Sequence, residues 1–281
     1  MIIEDATSEN SQVEDQPAAA PPPAEDDSLY ARLVREDVIK LLEPLLEKHK
    51  FHLRAGDGKI VSDGWQMLYD TPWHYTVPAY SLDCWTWTEI MFETASRGTQ
   101  RRWVPSMCQM CFKVVCRMKT LKQLFAMKAL QERLQIPGKC GCELRPIVNG
   151  NYGSYWYCRG LEDGQRNYEI IRKAISEDPE LGPDLPVILK RACTEMELTC
   201  GPSDTWEITA NQLRVEKMIN QVMVRDPYQG PMPPHVVTHT LRKWIEFAYS
   251  IGDPTVFEYT GGKPLYRPPV TYHDKPAESA K

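Results

Sequence analysis

Between residues 108 and 194 apolar and polar positions follow two alternating rhythms. Phe112, Val114, Cys116 and Met118 point one way and Lys113, Val115, Arg117 and Lys119 the other, the period-two pattern of a strand with one face on a core and one toward water or anions. Thr120 then offers a helix cap, and Leu121, Leu124, Phe125, Met127, Ala129, Leu130 and Leu134 recur at helical spacing until Pro137-Gly138 stops them. The pattern predicts a second strand over 140–148, a turn at Asn149-Gly150-Asn151 and a third strand over 152–158. A second amphipathic helix over 161–176 and a fourth strand over 186–194 complete the segment.

The order β-α-β-β-α-β defines an α+β fold with a ferredoxin-like core over about 108–194, its strands expected as an antiparallel sheet in the order 4-1-3-2. The flanks divide by composition. Residues 1–27 are acidic, contain Ala18-Ala19-Ala20-Pro21-Pro22-Pro23 and are expected to be a disordered tail. Residues 28–107 open on a helix capped by Ser28 and bent near Pro44, then pass into an irregular region rich in tryptophan: Trp65, Trp73, Trp85, Trp87 and Trp103. The core unit extends to about residue 200. Residues 201–252 hold two helices, over 210–224 and 235–251, the second ending at Gly252, and residues 253–281 form a tail rich in Pro, Gly and Tyr.

Charge changes this picture. The 281-residue chain carries a net −5, but the eight acids of residues 1–27 stand without a Lys or Arg, so residues 28–281 carry +3. Eleven Lys or Arg between Arg97 and Arg145 face only Glu132 and Glu143, a local +9 that suggests an anionic partner. No basic region followed by an apolar one opens the sequence, and no run approaches the roughly 18 apolar residues of a membrane span. These features predict a soluble protein of the cytoplasm with no membrane partner.

Nine cysteines, an odd number, in a reducing compartment are expected to be thiols or metal ligands rather than a disulfide framework. The 4-1-3-2 order would carry six of them toward one sheet edge. Zinc takes four thiolate or imidazole ligands, and Cys108-Gln-Met-Cys111 supplies a common half-site. The expected zinc set is Cys108, Cys111, Cys140 and Cys193, with Cys142 and Cys158 as substitutes; buried core thiols are the competing reading. Redox use of the Cys-x2-Cys pair is disfavoured because the pair precedes a strand rather than opening a helix after one.

Cations beside aromatics on one sheet face are what single-stranded nucleic acid requires, for phosphates and for base stacking respectively. Lys113, Arg117, Lys119, Lys122, Lys128 and Arg145 are the expected phosphate contacts, and Tyr155 or Trp156 the stacking ring. The register of the third strand decides whether Tyr155 and Tyr157 or Tyr152 and Trp156 stand on that face. The predicted function is thus a non-enzymatic, zinc-stabilised nucleic-acid-binding protein. The alternatives are an adaptor making protein contacts through its Trp-rich and Pro-rich segments, or an enzyme using Cys84 and His74. Strand one and the hairpin lack the clustered carboxylates of a two-metal polymerase. His235 and His239 lack the Glu of the metalloprotease motif and suit a helix face, and Glu195 and Glu197 read as a solvated strand end.

Overall fold

The computed structural model describes residues 51–62, 71–77, 104–224 and 231–273, together with Ile39, Lys40, Leu42, Glu43 and Leu46. The acidic segment 1–27, Cys84 and Trp65, Trp85, Trp87 and Trp103 lie outside the described residues. Of the predicted first helix, the five described residues are helical, with Leu42 and Leu46 buried.

The chain is an α+β protein built on a five-stranded antiparallel sheet. Its strands are β3 (Trp73–Val77), β4 (Cys111–Met118), β5 (Gly138–Cys142), β6 (Tyr152–Arg159) and β7 (Val187–Arg191), in the spatial order β3-β5-β6-β4-β7. The four strands expected from the hydrophobic pattern keep the order 4-1-3-2, and β3 adds a fifth at the β5 edge. A separate small sheet joins β1 (Phe51–Leu53), β2 (Ile60–Ser62) and β8 (Met223–Val224), the last pair parallel. After the helical residues within 39–46, the α-helices among the described residues are α1 (Ser106–Gln109), α2 (Leu121–Leu134), α3 (Gly160–Ser176), α4 (Thr194–Cys200), α5 (Ala210–Val222) and α6 (Pro234–Ser250).

The core lies between one face of the large sheet and α2, α3 and α6. Val114, Cys116 and Met118 of β4, Cys140 and Cys142 of β5, and Tyr152, Trp156 and Cys158 of β6 meet Leu121, Leu124, Met127 and Leu130, Ile171 and Ile175, and Trp244 and Ala248. Burying such side chains stabilises the fold by about 1.5–3 kcal/mol each. A polar residue sealed in this core is fully used: Gln131 donates to Lys139 O and Ser154 Oγ at 3.1 and 3.0 Å and accepts from Thr76 Oγ1 at 3.2 Å, tying α2 to three strands. Glycine is required where β3 docks. A Cβ on Gly141 would lie 2.1 Å from Pro72 O, so only glycine lets the two backbones come this close.

The first turn of α2 is capped from two directions. Thr120 Oγ1 accepts from Gln123 N at 3.2 Å, as the sequence pattern requires. From beyond the end of α6, the buried carboxylate of Asp253 accepts from Leu121 N at 2.6 Å and from the Tyr152 hydroxyl at 2.8 Å. Burial, followed by the Asp253 carboxylate, raises the Tyr152 phenol well above its ordinary range, so it stays a donor. Residues 253–259 therefore rest on the core, with Val256 buried and Tyr259 stacked on Phe125, whereas 261–273 are exposed and Tyr266 meets Tyr249 edge-on.

Two boundaries depart from expectation. The second strand starts two residues earlier and stops at Cys142; Glu143 N still donates to Asn151 O at 2.8 Å, and beyond it Arg145 turns back onto the Glu143 carboxylate in an ionic cluster described below. The link from β5 to β6 is consequently a long connection over 143–151 with Gly150 at φ +92°, rather than a tight Asn-Gly hairpin.

Asp253→Ala, which strands the Leu121 amide and the Tyr152 hydroxyl, is expected to cost about 2–3 kcal/mol, and Tyr152→Phe about 1–2 kcal/mol. Urea unfolding followed by far-ultraviolet circular dichroism measures both; equal stability of wild type and Asp253→Ala would refute the double cap.

Candidate functional site

The second face of the large sheet alternates out of register with the core. The pairings Lys113↔Tyr157, Val115↔Tyr155 and Arg117↔Gly153 place these residues opposite the side that α2 and α3 cover. Lys139 pairs with Tyr155 on one side and Tyr75 on the other, and Trp73 lies beside Gly141. The register thus selects Tyr155 and Tyr157 for this face and sends Tyr152 and Trp156 inward.

Cations and rings interleave here. Lys139 Nζ stands 4.4 Å from the ring centroid of Trp73, 5.5 Å from that of Tyr75 and 5.7 Å from that of Tyr155. The Arg117 guanidinium lies 5.2 Å from the Tyr155 ring, and Trp73 meets Tyr155 edge-on at 5.5 Å. Each such cation–ring contact stabilises by about 0.5–1 kcal/mol when exposed and more when dry. Gly153 makes room for the stack, since a Cβ there would lie 2.8 Å from Arg117 Nη1.

Carboxylates close the other end of this face. Glu143, fully buried at its side chain, accepts from Arg145 Nε at 2.8 Å, from Arg145 Nη2 at 2.6 Å and from the Tyr155 hydroxyl at 2.6 Å. Arg145 Nη1 reaches Glu195 of α4 at 2.6 Å, and Arg117 Nη1 lies 3.5 Å from Glu143. Burial alone would raise the Glu143 carboxyl; the hydrogen bonds from Arg145 and Tyr155 and the Arg145 charge outweigh it and hold the group at about 2. Burial, with the Glu143 hydrogen bond, pushes the Tyr155 phenol up to about 12. Further along, Lys190 pairs with Glu197 at 2.6 Å, and Lys113 donates to Cys193 Sγ at 2.8 Å.

The expected phosphate contacts divide accordingly. Lys113, Arg117 and Arg145 share the second face, with Lys113 buried and Arg145 committed to two carboxylates. Lys122 and Lys128 belong to α2, on the opposite side of the sheet, where Lys122 meets Glu180 and Glu258 and Lys128 meets Glu132. Lys119 is exposed just before α2. Trp156 is corrected outright: it is wholly buried under the helices, because it pairs with Val114 and shares that residue's core side. Tyr155 is on the expected face but buried to 7% exposure, its hydroxyl spent on Glu143. Glu195 and Glu197 are not a solvated strand end. The strand stops at Arg191, and both acids sit in α4 and neutralise Arg145 and Lys190.

The cysteines divide as well. Cys111 opens β4, Cys158 is paired to Phe112, and Ala192 N donates to Cys111 O, so Cys108, Cys111, Cys158 and Cys193 lie toward one end of the sheet, but Cys158 points into the core and Cys193 meets Lys113 of the other face. Cys140 does not join them. It pairs with Ser154, five residues from the Arg159 level of Cys111 and roughly 16 Å along the strand, with its side chain in the core. Cys142 lies further still, beside Tyr152. Cys108 packs among Val104, Ala192, Met196 and Trp206. Burial pushes the Cys142 thiol up to about 12 and the Cys140 thiol higher. Among the described residues no three His, Cys, Asp or Glu side chains are grouped to hold a metal ion, so the expected zinc set finds no support there.

His74, named with Cys84 for an enzymatic reading, points into the core side of β3 opposite Cys140, 3.7 Å from Glu132 and edge-on to Trp244. Burial first, then the charge of Lys128, lowers it to about 4, so it is neutral at pH 7. His235 and His239 lie on the exposed side of α6.

No family model matches the chain, and no curated protein or solved structure does either. Among the described residues no helix is long and apolar enough to cross a membrane. Of the residues that organise the site, Tyr75, Lys139 and Glu143 escaped the sequence reading as site residues, and Trp73 was legible only as one of a tryptophan-rich group that suits either an aromatic core or a stacking surface. The signal for Trp73 and Tyr75 was the short Trp73-His-Tyr-Thr-Val77 alternation, which places these two on one side and His74 on the other.

Glu143→Ala leaves Arg145 and the Tyr155 hydroxyl without their shared acceptor and is expected to cost about 3–5 kcal/mol in urea unfolding at pH 7; a loss below about 1 kcal/mol would show the cluster to be energetically idle. His74 supplies a pH signature. A histidine released by unfolding protonates near 6.5, whereas His74 in the fold waits until about 4, so stability is full above 6.5 and falls as pH drops between those values. His74→Leu should flatten that window in a series of unfolding curves; an unchanged slope would contradict the assignment.

Proposed function

We propose that the protein binds single-stranded nucleic acid across the second face of its large sheet, at the β3–β5 edge. The observation that carries this reading is the single ammonium of Lys139 set against three rings, Trp73, Tyr75 and Tyr155. Trp73 and Tyr75, both partly exposed, serve as stacking platforms, and Lys139 and Arg117 meet phosphates. The Glu143–Arg145–Glu195 cluster acts as a rigid frame beside this edge. Its carboxylates cancel the charge at Arg145, just as Glu197 cancels Lys190, so the strand is drawn to the edge where cations stand among rings.

Few cations take part, so the electrostatic share of affinity is small. Two or three phosphate contacts give a slope of log affinity against log salt of about −1.4 to −2.1 on a single strand. Fluorescence anisotropy of a labelled oligothymidine with the full-length protein, titrated between about 50 and 200 mM NaCl, measures it. Trp73→Ala and Lys139→Ala are each expected to weaken binding roughly tenfold, the loss of one stacked base or one phosphate contact. Absence of binding at low salt, or binding indifferent to both substitutions, would overturn the reading.

A further inference from the structure

Lys113 sits in the first half of β4, only 6% exposed, with its ammonium set against a sulfur. Its Nζ is 2.8 Å from Cys193 Sγ and 5.4 Å from the ring centroid of Tyr157. That separation is ordinary between nitrogen and oxygen and close for the larger sulfur atom. The chain reaches it through an unusual backbone. Ala192, between the end of β7 and Cys193, has φ 51°, in the left-handed region that residues with a side chain seldom adopt, and it is anchored there by its amide donating to Cys111 O at 2.7 Å. The turn folds the first residues of α4 back over the sheet and brings Cys193 onto Lys113. Beside them Glu195 Oε2 is buried with no hydrogen-bond partner.

We propose that Lys113 and Cys193 are a modification site, joined by a covalent sulfur–nitrogen bond when the protein meets a peroxide. The partly exposed Cys193 thiol attacks hydrogen peroxide first. Its S–H bond and the O–O bond break, an S–O bond forms, one water leaves, and sulfur is oxidised by two electrons to the sulfenic acid. The Lys113 ammonium loses one proton to water, and the free amine attacks the oxidised sulfur. An N–S bond forms, the S–O bond breaks, and hydroxide departs as water with the second amine proton. One thiol, one amine and one peroxide thus give one sulfenamide and two waters, and a thiol reductant reverses the bond. The two reacting atoms already lie inside the roughly 3–3.5 Å of a near-attack arrangement. Three other thiols are poorer targets: Cys116, Cys140 and Cys142 are buried, and burial pushes each of them up, away from the reactive thiolate. The inference stands apart from the nucleic-acid reading, since it concerns only the chemistry of this pair.

Treating the full-length protein with hydrogen peroxide, then digesting it without reductant and mapping peptides by mass spectrometry, tests the proposal. The expected product is a Lys113 peptide joined to a Cys193 peptide, about 2 Da lighter than the sum of the two, and released by dithiothreitol. Cys193→Ser should abolish it. Lys113→Arg keeps the charge but should lose the link, leaving Cys193 as sulfinic or sulfonic acid. Wild-type protein that yields only unlinked Cys193 acids would overturn the proposal, and this measurement needs no variant to fold. A link that forms equally well in Lys113→Arg would overturn it too.

Discussion

Eight consecutive pairings between β4 and β6, from Cys111↔Arg159 to Met118↔Tyr152, decide what each side chain in this protein can do. A strand has only two sides, so fixing one pair fixes all the rest, and a slip by one residue would exchange core for surface along the whole sheet. This register sends Trp156 and Tyr152 under the helices and lifts Tyr155, Tyr157, Lys113 and Arg117 to the opposite face. What holds it is burial on one side: Val114, Cys116 and Met118 cannot be traded for Lys113 and Arg117 without placing two cations under α2 and α3.

Charge on the second face is organised by a smaller number of acids than its cations would suggest. Glu143 and Glu195 together bind Arg145, approach Arg117 and orient the Tyr155 hydroxyl, while Glu197 answers Lys190. Because Glu143 is removed from water, its pairs are costly to break one partner at a time, and the cluster behaves as a rigid part of the sheet. The remaining cations, Lys139 and Arg117 above all, spend their charge on aromatic faces. A region that carries a local excess of basic residues along the chain is thus far more nearly balanced in space.

The elements that were legible in the amino-acid pattern are those whose signals are local. The alternation of β4, the Thr120 cap and the period of α2 each depend on residues within one or two turns, and strand order followed from the succession of elements. The site was less legible because it is made of long-range choices. Nothing near Arg145 in sequence announces Glu195, fifty residues on, and β5 both starts two residues before Cys140 and begins opposite Trp156 rather than Arg159, which together leave Cys140 five residues from the level of Cys111. Tyr155 was placed on the right face by its alternation, but its burial depends on Arg145 and Glu143 arriving from the neighbouring connection.

Asp253 also bears on how the chain is made. It caps a helix that begins 132 residues earlier, so α2 and the Tyr152 hydroxyl must wait for their acceptor until most of the chain has been synthesised. At about 5–20 residues per second that delay is on the order of ten seconds. During it the helix rests on Thr120 alone and the apolar side of the sheet lacks Trp244, which precedes Asp253 on the same late segment. A nascent chain of this protein would leave the ribosome with its central sheet drafted but unsealed, and would complete its core in one late, long-range step.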